Sequence, residues 1–380
     1  MTSALPENLR AWPYEPPARD VRLAIERLAR TDDVMHVAIM PDVHLANEVC
    51  IGSVVATAAT LLPDAVGGDI GCGMAAVAFE AGADLLASES NAMRLLGELR
   101  RRVPTNRHRG PRDVRSLPDD FKHKSLSSPD LSNIARRDGI VQLGTLGRGN
   151  HFLEFQSAAE GGLWLMVHSG SRAVGQAVRA WHVKRAARTS TGLSRISADS
   201  HAGRAYLQDV AWSRAYAAAN RRAMIDAAVE AVRDLFGVRS VEGSFFDCDH
   251  NHVLTELHFG QNVWVHRKGA MSASEGERGI IPGSMGDSSF HVVGRGEASS
   301  LRSSSHGAGR ALPRGIAASR TSTAELHRQL RGIWFDQRMA ASLRDESPAA
   351  YKQIAGVMRA QRDLTRIERK LRPLLSYKGT

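Results

Sequence analysis

Two hydrophobic periods alternate along this chain. Residues 18 to 31 repeat at helical spacing, with Val21, Leu23, Ala24, Leu28 and Ala29 on one side, and predict an amphipathic helix. "VMHVAIMPDVHL" follows as a near-continuous apolar run and predicts a buried strand. The next apolar stretch, "IGSVVATAATLLPDAVGGDIGCGMAAVAF", is interrupted by Pro63 and a glycine cluster. It reads as strand, loop, strand, with Asp69 and Cys72 in the loop. Residues 84 to 102 have a helical pattern, whereas 103 to 138 are polar, Pro-bearing and Arg-rich and predict a mobile basic insertion. Strands are expected at 140 to 156 and 162 to 168, a mainly helical insertion at 174 to 237, and short strands with glycine turns at 250 to 312. Helices are expected at 322 to 344 and 349 to 371. No solenoid-length repeat and no linker long enough to part autonomous domains interrupts the pattern. The prediction is an α+β fold: one large domain over residues 1 to 380, with mixed sheets and inserted helices.

Composition narrows the class. Hydrophobic residues at 43% and charged residues at 24% fit a globular protein. Nowhere do about 18 uncharged apolar residues run together, and the start, "MTSALPENLRAWPYEPPARD", lacks a basic region followed by an apolar one. Neither a membrane span nor export is expected. Cys50, Cys72 and Cys248 are too few and scattered for a disulfide framework, which points to a reducing, cytoplasmic setting. Against 40 Asp plus Glu stand 50 Lys plus Arg, a formal charge of +10 that favours a polyanionic partner such as a nucleic acid or nucleotide. Arg100, Arg101, Arg102, Arg107, Arg109, Arg112 and Arg115 are candidates for part of that footprint.

The unusual side chains lie at strand ends and glycine turns, where a rigid scaffold can aim them at one point. They are Asp69 and Cys72 in "GGDIGCG", His151 in "GRGNHF", His168 in "VHSGSR", His250 in "DHNH" and His306 in "SSSHGAGRALPR". Singly, each has an ordinary reading as a buried thiol, a core histidine or turn chemistry. Together, a carboxylate, a thiolate and several imidazoles offer hard and soft donors to one or two divalent ions, and a thiolate can bridge two cations. Zinc suits the softer donors, while the aspartate leaves room for manganese.

Ten ordered motifs carry a resemblance that covers nearly the whole chain. They are "MPDVH" at 40 to 44, "VGGDIGCG" at 66 to 73, "LGTLGRGNHFLE" at 143 to 154, "HSGSR" at 168 to 172 and "HN" at 250 and 251. The series continues with "HRKGA" at 266 to 270, "IIPGSMG" at 280 to 286, "SHGAGR" at 305 to 310, "AYK" at 350 to 352 and "KG" at 378 and 379. In these the chain resembles the RtcB-type RNA ligases. The resemblance implies that His306 attacks the α-phosphate of GTP and carries GMP as a phosphoramidate. It implies two manganese ions bridged by Cys72, with His168 and His250 on one and Asp69 and His151 on the other. By the same similarity Asn150, Glu154, Asn251, Ser284, Arg310, Tyr351 and Lys378 would form the nucleotide pocket, and Arg172 and Lys268 would contact phosphate or RNA.

The reaction so implied joins RNA ending in a 2′,3′-cyclic phosphate or 3′-phosphate to RNA with a 5′-hydroxyl, by a monomer away from any membrane. This sequence departs from the family pattern at 46 to 50 beside "MPDVH", at Asp287, and in the residue after the terminal "KG". The departures at 46 to 50 and Asp287 keep open a metal-dependent phosphodiesterase or 3′-end GMP-capping enzyme that does not seal, and the +10 charge with the Arg-rich 100 to 115 keeps open a non-catalytic RNA-binding protein.

Overall fold

The computed structural model describes residues 6–109, 117–122 and 124–379, so Arg112 and Arg115 lie outside the described residues. The fold is α+β and forms a single domain. Its centre is a seven-stranded sheet in the order Phe246–Asp249, Gly73–Gly82, Gly162–Ser169, Phe152–Ala158, Thr365–Lys378, Ser289–Gly294, Arg278–Ile281, with every neighbouring pair antiparallel. A five-stranded sheet runs Leu9–Ala11, Val34–His44, Ile51–Thr57, Gln261–Lys268, Asn251–His258. The chain passes from one sheet to the other through a single residue, His250, between the strands Phe246–Asp249 and Asn251–His258.

Alternation along the central strands explains why the large sheet is covered on both faces. Ala75, Val77, Leu153, Phe155, Leu165 and Val167 face the helix Glu89–Arg102 and the long helix His201–Phe236, against Leu95, Leu99, Met224, Ala228 and Val232. Met74, Ala76, Trp164, Met166, Ile280 and Leu371 build a second cluster on the other face. The first helix, Arg19–Ala29, lays Val21, Ile25 and Leu28 on Val37, Ile39 and Val55 of the smaller sheet.

The 36-residue helix His201–Phe236 is begun by Ser200, whose side chain accepts from Gly203 N, and is stopped by Gly237 in the left-handed region at φ 71°. Its alanines let the backbone approach the strands closely. The 174 to 237 region opens on a separate helix, Arg172–Val183, and the short strands Ala187–Arg188 and Ser194–Ser197 lie between the two helices.

Three expectations need correction. The helix expected over 349 to 371 is real only as Ile354–Ala360, after which Thr365–Lys378 is a strand in the middle of the large sheet. Its Arg, Glu, Lys and Leu residues favour helices locally, but pairing on both edges overrides that preference. Pro373, which cannot donate to a ladder, sits at a register irregularity. The helix expected over 322 to 344 shortens to Thr323–Gln329 followed by 3-10 turns. The strand expected from 140 begins only at Phe152, because Ile140–Gln142 ends a helix and glycine turns fill the interval.

Candidate active site

Five neighbouring strands of the large sheet end at the same edge, and each delivers a side chain there. His250 follows Asp249, Cys72 precedes Gly73, His168 lies one residue before the end of its strand, His151 precedes Phe152, and Lys378 closes the fifth. Register fixes their alignment: Gly73 pairs with Asp249 and Ser169, while Phe152 pairs with His168 and Lys378. His250 N donates to Cys72 O at 2.8 Å, which locks the sheet-crossing residue beside the thiol.

Backbone carbonyls set the imidazoles. His151 Nδ1–H donates to Leu146 O and His168 Nδ1–H to Asn150 O, both at 3.1 Å, so each Nε2 turns a lone pair inward. Cys72 Sγ lies 3.5 Å from His151 Nε2 and 3.3 Å from His168 Nε2, and His168 Nε2 lies 3.4 Å from His250 Nε2. Donors about 2.0–2.3 Å from one tetrahedral ion lie about 3.3–3.8 Å apart, so these spacings fit shared coordination. Asp69 Oδ1 accepts from Ser171 N at 3.0 Å, leaving Oδ2 against His151 Nε2 at 2.9 Å. Two acceptors at that separation require a positive charge, either a proton or a metal ion. The donors form two groups, Cys72 with His168 and His250, and Asp69 with Cys72 and His151, which share the thiol.

The electrostatics agree with this use. Burial, then neighbouring imidazoles, hold His168 and His250 well below the ordinary histidine range, as neutral donors. Burial and then the charge of Asp69 push the Cys72 thiol well above its ordinary value, so a cation must displace its proton. Burial pushes Asp69 upward too, but the contacts with His151 and Cys72 outweigh it and hold the carboxyl at about 2.

His306 stands beside this cluster, its ring centroid 4.7 Å from that of His250. Its Nδ1 pairs with Asp42 Oδ2 at 2.7 Å, which leaves Nε2 as the free nitrogen. Asp42 is fully buried, and its Oδ1 has no hydrogen-bond partner among the described residues. Gly309 allows this approach: at φ 75° its Cα lies against the Asp42 backbone, where a side chain would collide. Lys352 Nζ braces the same turn by donating to Pro41 O at 3.1 Å and Val43 O at 2.7 Å.

His306 lines a cleft of about 1020 Å³, as do Asn150, Glu154, Ser284, Arg310, Tyr351 and Lys378. Burial raises Glu154 to about 8, so its carboxyl is mostly protonated at neutral pH. Lys378 Nζ pairs with Glu346, a buried carboxylate that also accepts from Tyr351 OH at 2.7 Å and Arg310 Nη1 at 3.2 Å and is paired with Arg314. Burial pushes Glu346 up, yet Lys378 and Arg314 outweigh it and hold it at about 2. Asp287 Oδ2 accepts a hydrogen bond from the Ser284 hydroxyl at 2.7 Å, and Leu45 together with Ala46 and Asn47 of the departing segment forms part of the wall.

Three residues expected to contact nucleotide, phosphate or RNA do not line the cleft. Asn251 is a strut, donating to Asp69 O at 3.0 Å and accepting from Gly269 N at 2.8 Å. Arg172 donates to Thr145 Oγ1 and Thr105 O, each at 3.2 Å, and Lys268 Nζ donates to Asp64 O at 3.1 Å.

Sequence reasoning gave no role to Asp42, Glu346, Asn220 or Arg221. Asp42 had a signal, a carboxylate inside an apolar strand that must find a partner. Asn220 and Arg221, adjacent and buried on the long helix, hold three site loops from behind. Asn220 Oδ1 accepts from Gly144 N at 2.7 Å, and its Nδ2 donates to Ser169 Oγ at 3.0 Å. Arg221 Nη1 donates to Gly71 O at 2.8 Å and Ser169 O at 3.0 Å, while Asp247 accepts from its Nε and Nη2 at 2.6 and 2.7 Å.

Known proteins are similar to this chain in sequence over most of its length. The family model described as tRNA-splicing ligase RtcB matches residues 24–379. The RNA-splicing ligase RtcB of Escherichia coli K12 is 36% identical over 375 residues, covering 90% of each chain. The tRNA-splicing ligase RtcB of Methanococcus maripaludis is 27% identical over 396 residues, covering 84% of this chain and 82% of its own. With a matching family model and a 36% identical relative both spanning most of its length, the chain belongs to the RtcB family of RNA-splicing ligases.

Proposed function

We propose that this protein is a GTP-dependent ligase that joins RNA 3′-phosphate or 2′,3′-cyclic-phosphate ends to 5′-hydroxyl ends through a His306–GMP intermediate. The observation that carries the reading is His306 itself: Nδ1 is fixed by buried Asp42, and Nε2 opens to a cleft with metal donors on one side and Glu154, Glu346 and Lys378 on the other. His306 Nε2 attacks the α-phosphorus of GTP, a P–N bond forms, and the bond to pyrophosphate breaks. Asp42 keeps the Nδ1 proton and balances the charge that develops on the ring. The RNA 3′-phosphate then takes GMP from His306, after water has opened any cyclic phosphate. Finally the 5′-hydroxyl oxygen attacks that phosphate, loses its proton and releases GMP.

Cys72, His168 and His250, with Asp69 and His151, would hold two divalent ions, for which the resemblance points to manganese. Such ions supply positive charge to phosphate oxygens. Glu154, protonated near neutral pH, can donate as well as accept, which suits a purine edge. Arg310 and Lys378 add charge at the far wall.

The test uses α-labelled GTP with manganese, followed by a denaturing gel. An acid-labile adduct is expected in the native protein and none in His306→Ala. Sealing should require 3′-phosphate or cyclic-phosphate ends with 5′-hydroxyl ends. Persistent labelling of His306→Ala, or joining of 5′-phosphate ends, would overturn the reading. GMP transfer without sealing would favour an end-capping enzyme instead.

A further inference from the structure

More than half of the formal charge of +10 sits in one short run. Residues 172 to 204 contain seven cations, Arg172, Arg179, Lys184, Arg185, Arg188, Arg195 and Arg204, against one carboxylate, Asp199. Cations elsewhere are more often paired. On the helix Glu89–Arg102, Arg100 pairs with Asp336, Arg101 with Glu98, and Arg102 with Glu98 and Asp234. That pairing weakens the case for these three as a polyanion footprint. Among the described residues Lys184, Arg185 and Arg188 form no ion pair, and all three are exposed.

Their position is defined by the helix Arg172–Val183. The residue before it, Ser171, donates its N–H to Asp69 at the metal-donor cluster, so the helix starts at the site. Its 12 residues carry the chain about 18 Å away. At the far end the Arg185 guanidinium lies 3.4 Å from the Trp181 ring centroid, and Arg185 Nη1 donates to Trp181 O at 2.9 Å. Lys184 is the helix C-cap residue, and Arg188 follows in the two-residue strand Ala187–Arg188, anchored to Gly192 O and Ser194 Oγ. A helix C-terminus favours cations by its dipole, which accounts for Lys184. It does not account for Arg188 or for a guanidinium seated over an indole.

We propose that Trp181, Lys184, Arg185 and Arg188 form a track for the single-stranded RNA that leads away from the end held in the cleft. This rests on the RNA-ligase reading. Unpaired cations answer phosphates, and the Arg185 guanidinium seated over the Trp181 ring, which packs on the core behind it, offers a surface to an unstacked base, which a duplex does not present.

The test measures binding of a labelled 20-nucleotide RNA with a 3′-phosphate as a function of salt. Replacing Lys184, Arg185 and Arg188 together by Gln should reduce the slope of log affinity against log salt by about two, at about 0.7 per lost phosphate contact on a single strand. Trp181→Leu should weaken binding severalfold with the slope unchanged, because stacking releases no counterion. GMP transfer to a dinucleotide 3′-phosphate, too short to reach the track, and self-labelling with GTP should both match the native protein. An unchanged slope in the triple variant overturns the track and leaves the patch to an acidic protein partner. An equal loss on the dinucleotide also overturns it, since these residues would then act at the site. If the native protein neither binds nor joins RNA, the RNA-ligase reading fails first.

Discussion

An imidazole has two nitrogens, and the one that attacks is decided by what holds the other. In this protein that holder is Asp42, buried, 2.7 Å from His306 Nδ1 and braced through its neighbours by Lys352. Asp42→Ala should therefore slow GMP incorporation about 10²- to 10⁴-fold, the range set by losing a group that orients and charge-balances a catalytic histidine. Metal content should not change, and single-turnover labelling beside metal analysis separates the two effects. A variant that labels at the native rate would remove Asp42 from the reaction. The shared thiol gives a complementary expectation. Cys72→Ala should lose both ions by direct metal analysis, whereas Cys50→Ala and Cys248→Ala should retain them, because neither belongs to a donor group. Two ions retained without Cys72 would exclude bridging.

The long helix His201–Phe236 is a template rather than a peripheral insertion. Asn220 and Arg221 reach from it into the loops that carry Cys72, His151 and His168. Asn220→Ala would strip the buried partner from Gly144 N, at about 1–3 kcal/mol for the group left unsatisfied, whereas Ser169 Oγ keeps its bond to Leu146 O. Urea unfolding should register that loss. Arg221→Lys keeps a charge but cannot satisfy Asp247 and two carbonyls at once, so metal affinity should fall about 10- to 100-fold with the fold intact. Equal metal affinity would assign Arg221 to stability alone. Legibility in the sequence follows the same division. The helix was readable from its Ala-rich period, and the donors from their rarity at glycine turns, but not which polar residues of the helix face inward. That depends on what packs there, and an exposed Arg and an Arg221 beneath the sheet look alike in a chain. The strand Thr365–Lys378 is illegible for a related reason: its residues favour a helix, and only neighbours distant in sequence make it a strand. Glu346 carries no local signal, because its four partners lie 5 to 36 residues away.

Across the fold, the candidate donors come from residues 69, 72, 151, 168 and 250, and they meet only when strands far apart in sequence have paired. A divalent ion bound there favours the native state alone. Manganese at 100 times its dissociation constant should then add about 2.7 kcal/mol to unfolding stability for each ion bound. Chelation should remove that increment, and Cys72→Ala should never show it. A stability curve indifferent to manganese and chelator would mean that the donors do not hold it. The passage through His250 from one sheet to the other extends this reasoning to the path by which the protein forms. A strand end out of step by one residue moves about 3.4 Å and turns its side chains to the opposite face, far outside coordinating distance. Uptake of an ion thus reports that both sheets have closed in register. Cobalt, whose colour depends on its ligands, should remain pale through early collapse and take on the site's spectrum only in the last phase of refolding, making the metal centre an inspector of the finished chain.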